Sequence, residues 1–213
     1  MRDIKAVIFD MDGVIVDSEF INFHTMLAVL EKYGIDFDFK YYSKFPGGSC
    51  IEAFESVKRD FGADFDVSAM VSEFNNQRRI TACKNGWTPV RNAVDTVKYC
   101  AGKYRLALAS GSAPDIIENV TNSFNINTLF ESKISGENIE RCKPAPDIFL
   151  KSAENIGIMP QNCAVIEDSH NGVLAAKAAD MMCIGFVNPN SGSQDLSAAD
   201  FIVDNMSDIK KYL

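Results

Sequence analysis

The sequence lacks three features that would assign it to other protein classes. No apolar run approaches the length of a membrane-spanning helix. The six cysteines include no C-x-x-C pair and no Cys/His cluster, so most are expected to be small buried hydrophobes. A net charge of -8 argues against nucleic acid and anionic membranes as main partners, because both repel an acidic surface.

What is present is typical of a globular protein. Hydrophobic residues make up 46% and charged residues 23% of the 213 residues, a length that suits one large domain or a core with a smaller module. The first predicted strand begins a few residues after Met1, which leaves no room for a signal peptide. We therefore expect a cytoplasmic protein, and since no feature requires an oligomer, we expect a monomer.

An apolar run near the start, Ala-Val-Ile-Phe at 6–9, predicts a buried strand of a parallel sheet. The run ends at two carboxylates, Asp10 and Asp12, with Gly13 directly after. Ligands of open α/β sheets bind beyond the carboxyl ends of the strands. The acidic pair is therefore expected to face a site.

The remaining chain has two parts. Residues 18–83 show only helical patterns, including an S-x-x-E capping box at Ser49 and Glu52. From 85 onward helices and strands alternate, with helices predicted over 90–100, 115–124, 147–156, 172–179 and up to 213, and strands over 106–109, 133–135, 164–166, 182–187 and 201–203. Such alternation predicts an α/β fold, a doubly wound, Rossmann-like parallel sheet. The predicted core is 1–16 and 85–213, and 17–84 is an inserted all-helical cap over the site.

Polar residues follow three other strands or loops that the sheet would bring near Asp10. They are the hydroxyl and amides of Ser110-Gly111-Ser112, the amine of Lys143 before a helix, and the acidic pair Glu167-Asp168. Carboxylates suit Mg²⁺, a carboxylate can attack phosphorus, a second one can transfer protons, and lysine can hold a phosphoryl group. These are the groups that phosphoryl transfer to a carboxylate requires.

Four motifs in order, D-M-D-G-V at 10–14, S-G-S at 110–112, K-P-A-P-D-I-F at 143–149 and I-E-D-S at 166–169, resemble the signatures of the haloacid dehalogenase superfamily. Over nearly the whole chain the sequence is similar to its β-phosphoglucomutase-like phosphatases, which carry a helical cap. The resemblance implies that Asp10 is the nucleophile and Asp12 the acid/base. It further implies that Ser110, Gly111 and Lys143 bind phosphate, and that Mg²⁺ is held by Asp10, the Asp12 carbonyl and Asp168, supported by Glu167.

Two departures from the family pattern favour one activity. The related sugar phosphomutases have a histidine where this chain has Asn22, and an arginine for the second phosphate of a bisphosphate where it has Cys50. We therefore expect a phosphatase acting on a small phosphorylated metabolite, such as a sugar or polyol phosphate, with a phosphomutase as the alternative. Specificity residues are expected in the cap, at Asn22, Gly47, Gly48, Ser49, Cys50 and within 75–79.

Three rival functions fit the residues less well. True dehalogenases need no proton donor, so Asp12 argues against them, and phosphonatases need a cap lysine in a context that is absent here. A non-catalytic phospho-aspartate receiver or binding protein would share the acidic pocket, the hydroxyl and the lysine. It would lack an acid two residues after the acceptor and a helical insertion.

Overall fold

The computed structural model describes residues 3–45 and 49–213. Within these ranges six parallel strands form one sheet in the order β3-β2-β1-β4-β5-β6. The strands are β1 (Ala6–Phe9), β2 (Arg105–Ser110), β3 (Ser132–Ser135), β4 (Cys163–Glu167), β5 (Met182–Phe186) and β6 (Phe201–Val203). The first strand thus lies at the centre of the sheet, between β2 and β4.

The register of the three central strands aligns their carboxyl ends. Phe9 of β1 lies beside Leu108 of β2 on one side and Ile166 of β4 on the other. The backbone N–H of Asp10 continues this ladder by donating to the carbonyl of Ile166, at 3.0 Å. Residues that follow these strands therefore emerge at one edge of the sheet.

The described residues form eight α-helices, five before β2 and three after it. They are α1 (Glu19–Leu30), α2 (Phe39–Tyr42), α3 (Cys50–Phe61), α4 (Val67–Asn85), α5 (Ala93–Ala101), α6 (Pro114–Ser123), α7 (Asp147–Asn155) and α8 (His170–Ala178). Short 3-10 helices occur at Glu31–Tyr33, Asn127–Leu129, Gly136–Asn138, Pro160–Asn162 and Met206–Lys211. The predicted capping box is present, since Ser49 accepts from the N–H of Glu52 and the Glu52 carboxylate accepts from the N–H of Ser49.

Alternation along β1 places its side chains in two different hydrophobic clusters. Val7 and Phe9 pack with residues of α5 and α6, whereas Ala6 and Ile8 pack with residues of α7 and α8. Helices therefore cover both faces of the sheet, which confirms the predicted doubly wound α/β class.

The helices α1 to α4 form a separate hydrophobic cluster, built around residues such as Leu30, Phe54 and Phe74. We call these helices the cap. They join the sheet through two adjacent linkers, because Val16 bridges to Pro89 and the N–H of Asp17 donates to the carbonyl of Thr88. The predicted division at residues 17–84 follows this pattern and stays a prediction.

Several predicted elements differ from the structure at their ends. The helix predicted over 90–100 begins at Ala93, because Asn92 adopts a left-handed conformation, with φ at 65°. The last predicted helix is a 3-10 helix, Met206–Lys211, and the aromatic stretch at 37–45 contains the short helix α2. None of the helices in 3–45 and 49–213 combines the length and apolar content that a bilayer crossing needs.

Candidate active site

Asp10 and Lys143 form the centre of the site. Asp10 follows β1, and Lys143 comes from the loop before α7, yet the Lys143 Nζ lies 2.5 Å from Asp10 Oδ1. Both side chains are buried, at 7% and 8% exposure. The two predicted residues are thus brought together across 133 positions of sequence.

Lys143 also contacts Glu167, which ends β4. Its Nζ lies 2.6 Å from Glu167 Oε1, while Glu167 Oε2 accepts from the N–H and the hydroxyl of Ser169. Burial alone would lower the pKa of Lys143, but the charges of Asp10 and Glu167 raise it above the ordinary value. Lys143 is therefore held as a cation between two carboxylates.

Asp168, next in the chain, lies against the turn that follows β1. Its Oδ2 accepts a hydrogen bond of 2.5 Å from Ser191. A Cβ on Gly13 would lie 2.0 Å from the same Oδ2, and Gly13 has a φ of 81° that side chains rarely adopt. Only glycine leaves room for this carboxylate, which explains the glycine after the acidic pair.

Each carboxylate oxygen of Asp12 accepts two hydrogen bonds. Oδ1 accepts from Ser18, at 2.6 Å, and from Arg78, whereas Oδ2 accepts from Ser110 at 3.0 Å and from Ser112 at 2.6 Å. Burial raises the pKa of Asp12, but Arg78 and the serine hydroxyls outweigh it and lower the pKa below its ordinary value. Asp12 is therefore ionised and oriented in this arrangement.

Arg78 reaches this carboxylate from the cap helix α4. Besides Asp12, it donates to the hydroxyl of Ser112 at 2.8 Å, and its guanidinium lies 5.5 Å from the ring centroid of Trp87. The side chain is 3% exposed, and its Nε is buried without a hydrogen-bond partner among the described residues. The cap thus places a cation directly beside the acid pair of the core.

A cavity of about 210 Å³ lies between the core edge and the cap. From the core it is lined by Asp10, Asp12, Gly111, Lys143 and Asp168, and from the cap by Glu19, Asn22, Ser49, Cys50, Asn75 and Arg78. Of the predicted specificity residues, Gly47 and Gly48 lie outside the described residues. The other individually predicted site residues line this cavity or hydrogen-bond to a residue that does, and from the predicted range 75–79 the lining residues are Asn75 and Arg78.

Glu19 and Tyr42 form a buried pair on the cap side of the cavity. The Tyr42 hydroxyl donates to Glu19 Oε2 at 2.7 Å. Burial raises the pKa of Glu19 to about 7, although this hydrogen bond opposes the shift. Burial also raises the pKa of the Cys50 thiol to about 11, so this thiol is not activated as a nucleophile.

The residues fit a magnesium ion in charge and in donor type. Burial, together with the charges of neighbouring carboxylates, raises the pKa of both Asp10 and Asp168 well above ordinary values, and for Asp10 this holds against Lys143. The ionised forms of these two carboxylates therefore lack compensating positive charge from the chain, which a bound cation would supply. Within 3–45 and 49–213 no three His, Cys, Asp or Glu side chains are grouped to hold a metal. A site of two carboxylates, one carbonyl and waters suits Mg²⁺, which keeps several waters.

Sequence reasoning missed the most important cap residues. The sequence predicts Arg78 only within the broad range 75–79, and its pattern does not distinguish Glu19 or Tyr42 as site residues. In sequence Arg78 is indistinguishable from Arg79, which is 42% exposed on its side chain and pairs with Asp115 on the surface. The available signal was helical spacing, since Arg78 follows Phe74 and Asn75 by four and three positions on the face of α4 that lines the cavity.

Comparison with known proteins identifies the family of the chain. Residues 4–180 match the sequence profile of the haloacid dehalogenase-like hydrolases. The chain belongs to this family. It is 30% identical over 176 residues to fructose-1-phosphate phosphatase YqaB of Escherichia coli (strain K12), covering 83% of this chain and 93% of that protein.

Two further relatives of this haloacid dehalogenase-like hydrolase are phosphomutases by name. The β-phosphoglucomutase of Bacillus subtilis (strain 168) is 29% identical over 216 residues, covering 96% of this chain and 91% of that protein. The crystal structure of β-phosphoglucomutase from Clostridium difficile superposes with a TM-score of 0.85 at 27% identity, covering 98% and 95% of the two chains. The predicted family, the hydrolase class and the fold are confirmed.

Proposed function

We propose that this chain is a Mg²⁺-dependent phosphatase that hydrolyses a small sugar or polyol phosphate through a phospho-aspartyl intermediate on Asp10. The observation that carries the proposal is the contact of Lys143 with Asp10, next to a second carboxylate, Asp12, on the same turn. A lysine beside a nucleophilic carboxylate offsets the repulsion between that carboxylate and an anionic phosphoryl group. Relatives named as phosphatases of small phosphorylated compounds support the same reaction.

In the proposed first step, an oxygen of Asp10 attacks phosphorus and the bond from phosphorus to the ester oxygen breaks. The electron pair of that bond goes to the leaving oxygen, which takes a proton from Asp12. Because Asp12 is ionised in the arrangement described above, it must first take up that proton from solvent as the substrate binds. Lys143 holds the transferring phosphoryl group, together with Ser110 and the amide of Gly111. A positioned acid of this kind typically contributes roughly 10²–10⁴-fold in rate.

In the proposed second step, Asp12 takes a proton from a water molecule that attacks the phosphorus of phospho-Asp10. The new bond to water oxygen replaces the bond to Asp10, whose carboxylate is regenerated as phosphate leaves. Mg²⁺, held by Asp10, the Asp12 carbonyl and Asp168, would neutralise charge on the phosphoryl oxygens. Glu167, whose two oxygens contact Lys143 and Ser169, would support the site by fixing the lysine.

The cavity lining favours a phosphatase over a phosphomutase. Among the described residues that line it, the cations are Lys143 and Arg78, and each already pairs with a carboxylate. Cys50 lies in the lining where a second phosphate would need a bidentate cation. At the position of Cys50, the second phosphate of a bisphosphate intermediate would therefore meet a neutral thiol instead of a cation.

The test is phosphate release from a panel of phosphorylated metabolites, including fructose 1-phosphate and β-glucose 1-phosphate, with Mg²⁺. We expect hydrolysis of at least one ester, and loss of that activity in Asp10→Asn with the circular dichroism spectrum unchanged. Asp60→Asn, on the exposed surface of the cap, is the matched control and should keep full activity.

Two results would replace the proposal. Conversion of β-glucose 1-phosphate to glucose 6-phosphate at a rate comparable with hydrolysis would identify a phosphomutase. A phosphorylated chain that survives for minutes in Mg²⁺ without phosphate release would identify a receiver. Residual activity of Asp10→Asn would argue against covalent catalysis at that residue.

A further inference from the structure

The cap arginine Arg78 has a hydrogen-bonding capacity that its contacts leave incomplete. Its two terminal nitrogens donate to Asp12 and Ser112, but Nε is buried and has no acceptor among the described residues. A buried donor without a partner costs free energy, on the order of 1–3 kcal/mol. Arg78 lines the cavity, so a bound molecule that draws the guanidinium away from its present position could supply the missing acceptor.

The position of Arg78 indicates which part of a substrate it would meet. In the proposed reaction Asp12 must contact the leaving oxygen of the ester, and Arg78 donates to Asp12 Oδ1. The guanidinium therefore lies one side chain away from the leaving oxygen, on its cap side. A guanidinium there can reach the substituent of the next carbon atom of the leaving group, whereas Lys143 lies at the nucleophile, Asp10.

The Asp12 carboxylate already accepts four hydrogen bonds, and this gives a reason for Arg78 to exchange Asp12 for another acceptor. Each of its oxygens already accepts two hydrogen bonds, so at least one donor must withdraw before the carboxylate can contact a leaving oxygen. The three serine hydroxyls can rotate in place and accept instead of donating. Arg78 can only donate hydrogen bonds, so it cannot adapt by rotating in place. A substrate oxygen is therefore best placed to replace Asp12 as the acceptor of the Arg78 hydrogen bond.

We propose that Arg78 is a specificity residue that leaves Asp12 for an acceptor oxygen, a hydroxyl or carbonyl, on the carbon next to the phosphate-ester carbon. This inference rests on the proposed phosphatase function and narrows its substrate class. Substrates would be monoesters with oxygen at that vicinal position, as in sugar and polyol phosphates. Simple alkyl phosphates would fill the cavity without pairing the guanidinium.

The experiment compares 2-hydroxypropyl phosphate with propyl phosphate, which differ by one hydroxyl group. For the wild-type protein with Mg²⁺ we expect kcat/KM to be at least about tenfold higher for the hydroxylated ester, because an unpaired buried charged donor rejects the analogue. In Arg78→Gln this ratio should fall toward one. Arg78→Lys, which keeps the charge but loses the planar fork, should give an intermediate ratio and checks the role where the glutamine variant folds poorly.

Arg79→Gln is the matched control, because it removes the neighbouring cap–core ion pair, with Asp115, outside the cavity. It should keep the wild-type ratio. Equal kcat/KM for the two esters in the wild type would overturn the proposal, as would loss of activity on both by the same factor in the Arg78 variants. Failure of the wild type to release phosphate from any ester of the metabolite panel would instead refute the phosphatase function itself.

Discussion

Gly13→Ala tests whether the turn after β1 is shaped to admit the Asp168 carboxylate. The added Cβ would lie 2.0 Å from Asp168 Oδ2 and 2.9 Å from Ser191 Oγ, at a φ of 81°. A left-handed backbone conformation destabilises a non-glycine residue by about 1–2 kcal/mol. Replacing glycine also lowers the conformational entropy of the unfolded chain, which offsets about 0.4–1 kcal/mol of that cost. Forcing the carboxylate aside adds about 1–3 kcal/mol, the usual cost of overpacking.

The free energy of unfolding of Gly13→Ala should therefore fall by about 2–4 kcal/mol, measured by urea denaturation in EDTA. Gly62→Ala is the matched control, since Gly62 has a φ of 63° and no atom within 4 Å of the position of an added Cβ. It carries the backbone cost alone and should lose about 1 kcal/mol or less. The difference between the two variants isolates the contacts of the added Cβ with Asp168 and Ser191.

A double variant sharpens the result. In an Asp168→Ala background the carboxylate is gone, so the additional cost of Gly13→Ala should fall toward that of Gly62→Ala, with only the 2.9 Å approach to Ser191 Oγ remaining. Gly13→Ala should also need about tenfold more Mg²⁺ for half-maximal phosphate release, because it displaces a proposed ligand. If Gly13→Ala and Gly62→Ala lose equal stability, and the Mg²⁺ requirement is unchanged, Asp168 is not held against this turn.

Three further changes have expected outcomes. Lys143→Met should abolish phosphate release and lower the free energy of unfolding by about 3–5 kcal/mol in urea, since it leaves Asp10 and Glu167 buried without their cation; a loss under about 1 kcal/mol would contradict this pairing. The pKa of Glu19 is raised from 4.5 to about 7 by burial, so the native state binds more protons than the unfolded state between these values, and stability falls as pH rises through them. The free energy of unfolding of Glu19→Gln, relative to that of the wild type, should rise by up to about 3 kcal/mol between about pH 4 and about pH 8, measured by urea denaturation. A difference between the two proteins that does not change with pH would refute the raised pKa of Glu19. Chelation with EDTA should stop phosphate release and added Mg²⁺ should restore it, whereas a full rate without metal would contradict the proposed ligands.

The core side of the site was predictable from sequence because parallel strands obey a simple geometric rule. Asp10, Ser110 and Glu167 each end or follow an apolar run, and strands aligned in register place such residues at one edge. Residues that are far apart in the sequence but follow neighbouring strands are therefore close together in space. Lys143 was placed by its motif rather than by any strand, and the structure brings it to the same point.

The cap side was not predictable in the same way, because helices offer no shared edge. Which of Arg78 and Arg79 enters the cavity depends on the rotation of α4 about its own axis. That rotation is set by packing of residues such as Met70 and Phe74 against α1 and α3. In the sequence, Glu19 resembles an ordinary acidic residue in the first turn of α1. Its burial becomes evident only from the structure, where Tyr42, 23 residues away, donates a hydrogen bond to it.

The charges of the site explain how an acidic protein can take an anionic substrate. The chain carries a net charge of -8. Among the residues that the structure describes, the acids buried near the cavity, which are Asp10, Glu19, Glu167 and Asp168, outnumber the buried cations, which are Lys143 and Arg78. A phosphoryl group alone would be repelled by this set. With a divalent cation at Asp10 and Asp168 the local balance moves toward neutrality, and Lys143 then has charge to offer the phosphoryl oxygens. Metal and substrate should therefore bind with positive coupling, so the apparent affinity for a substrate-like anion should rise with Mg²⁺ concentration.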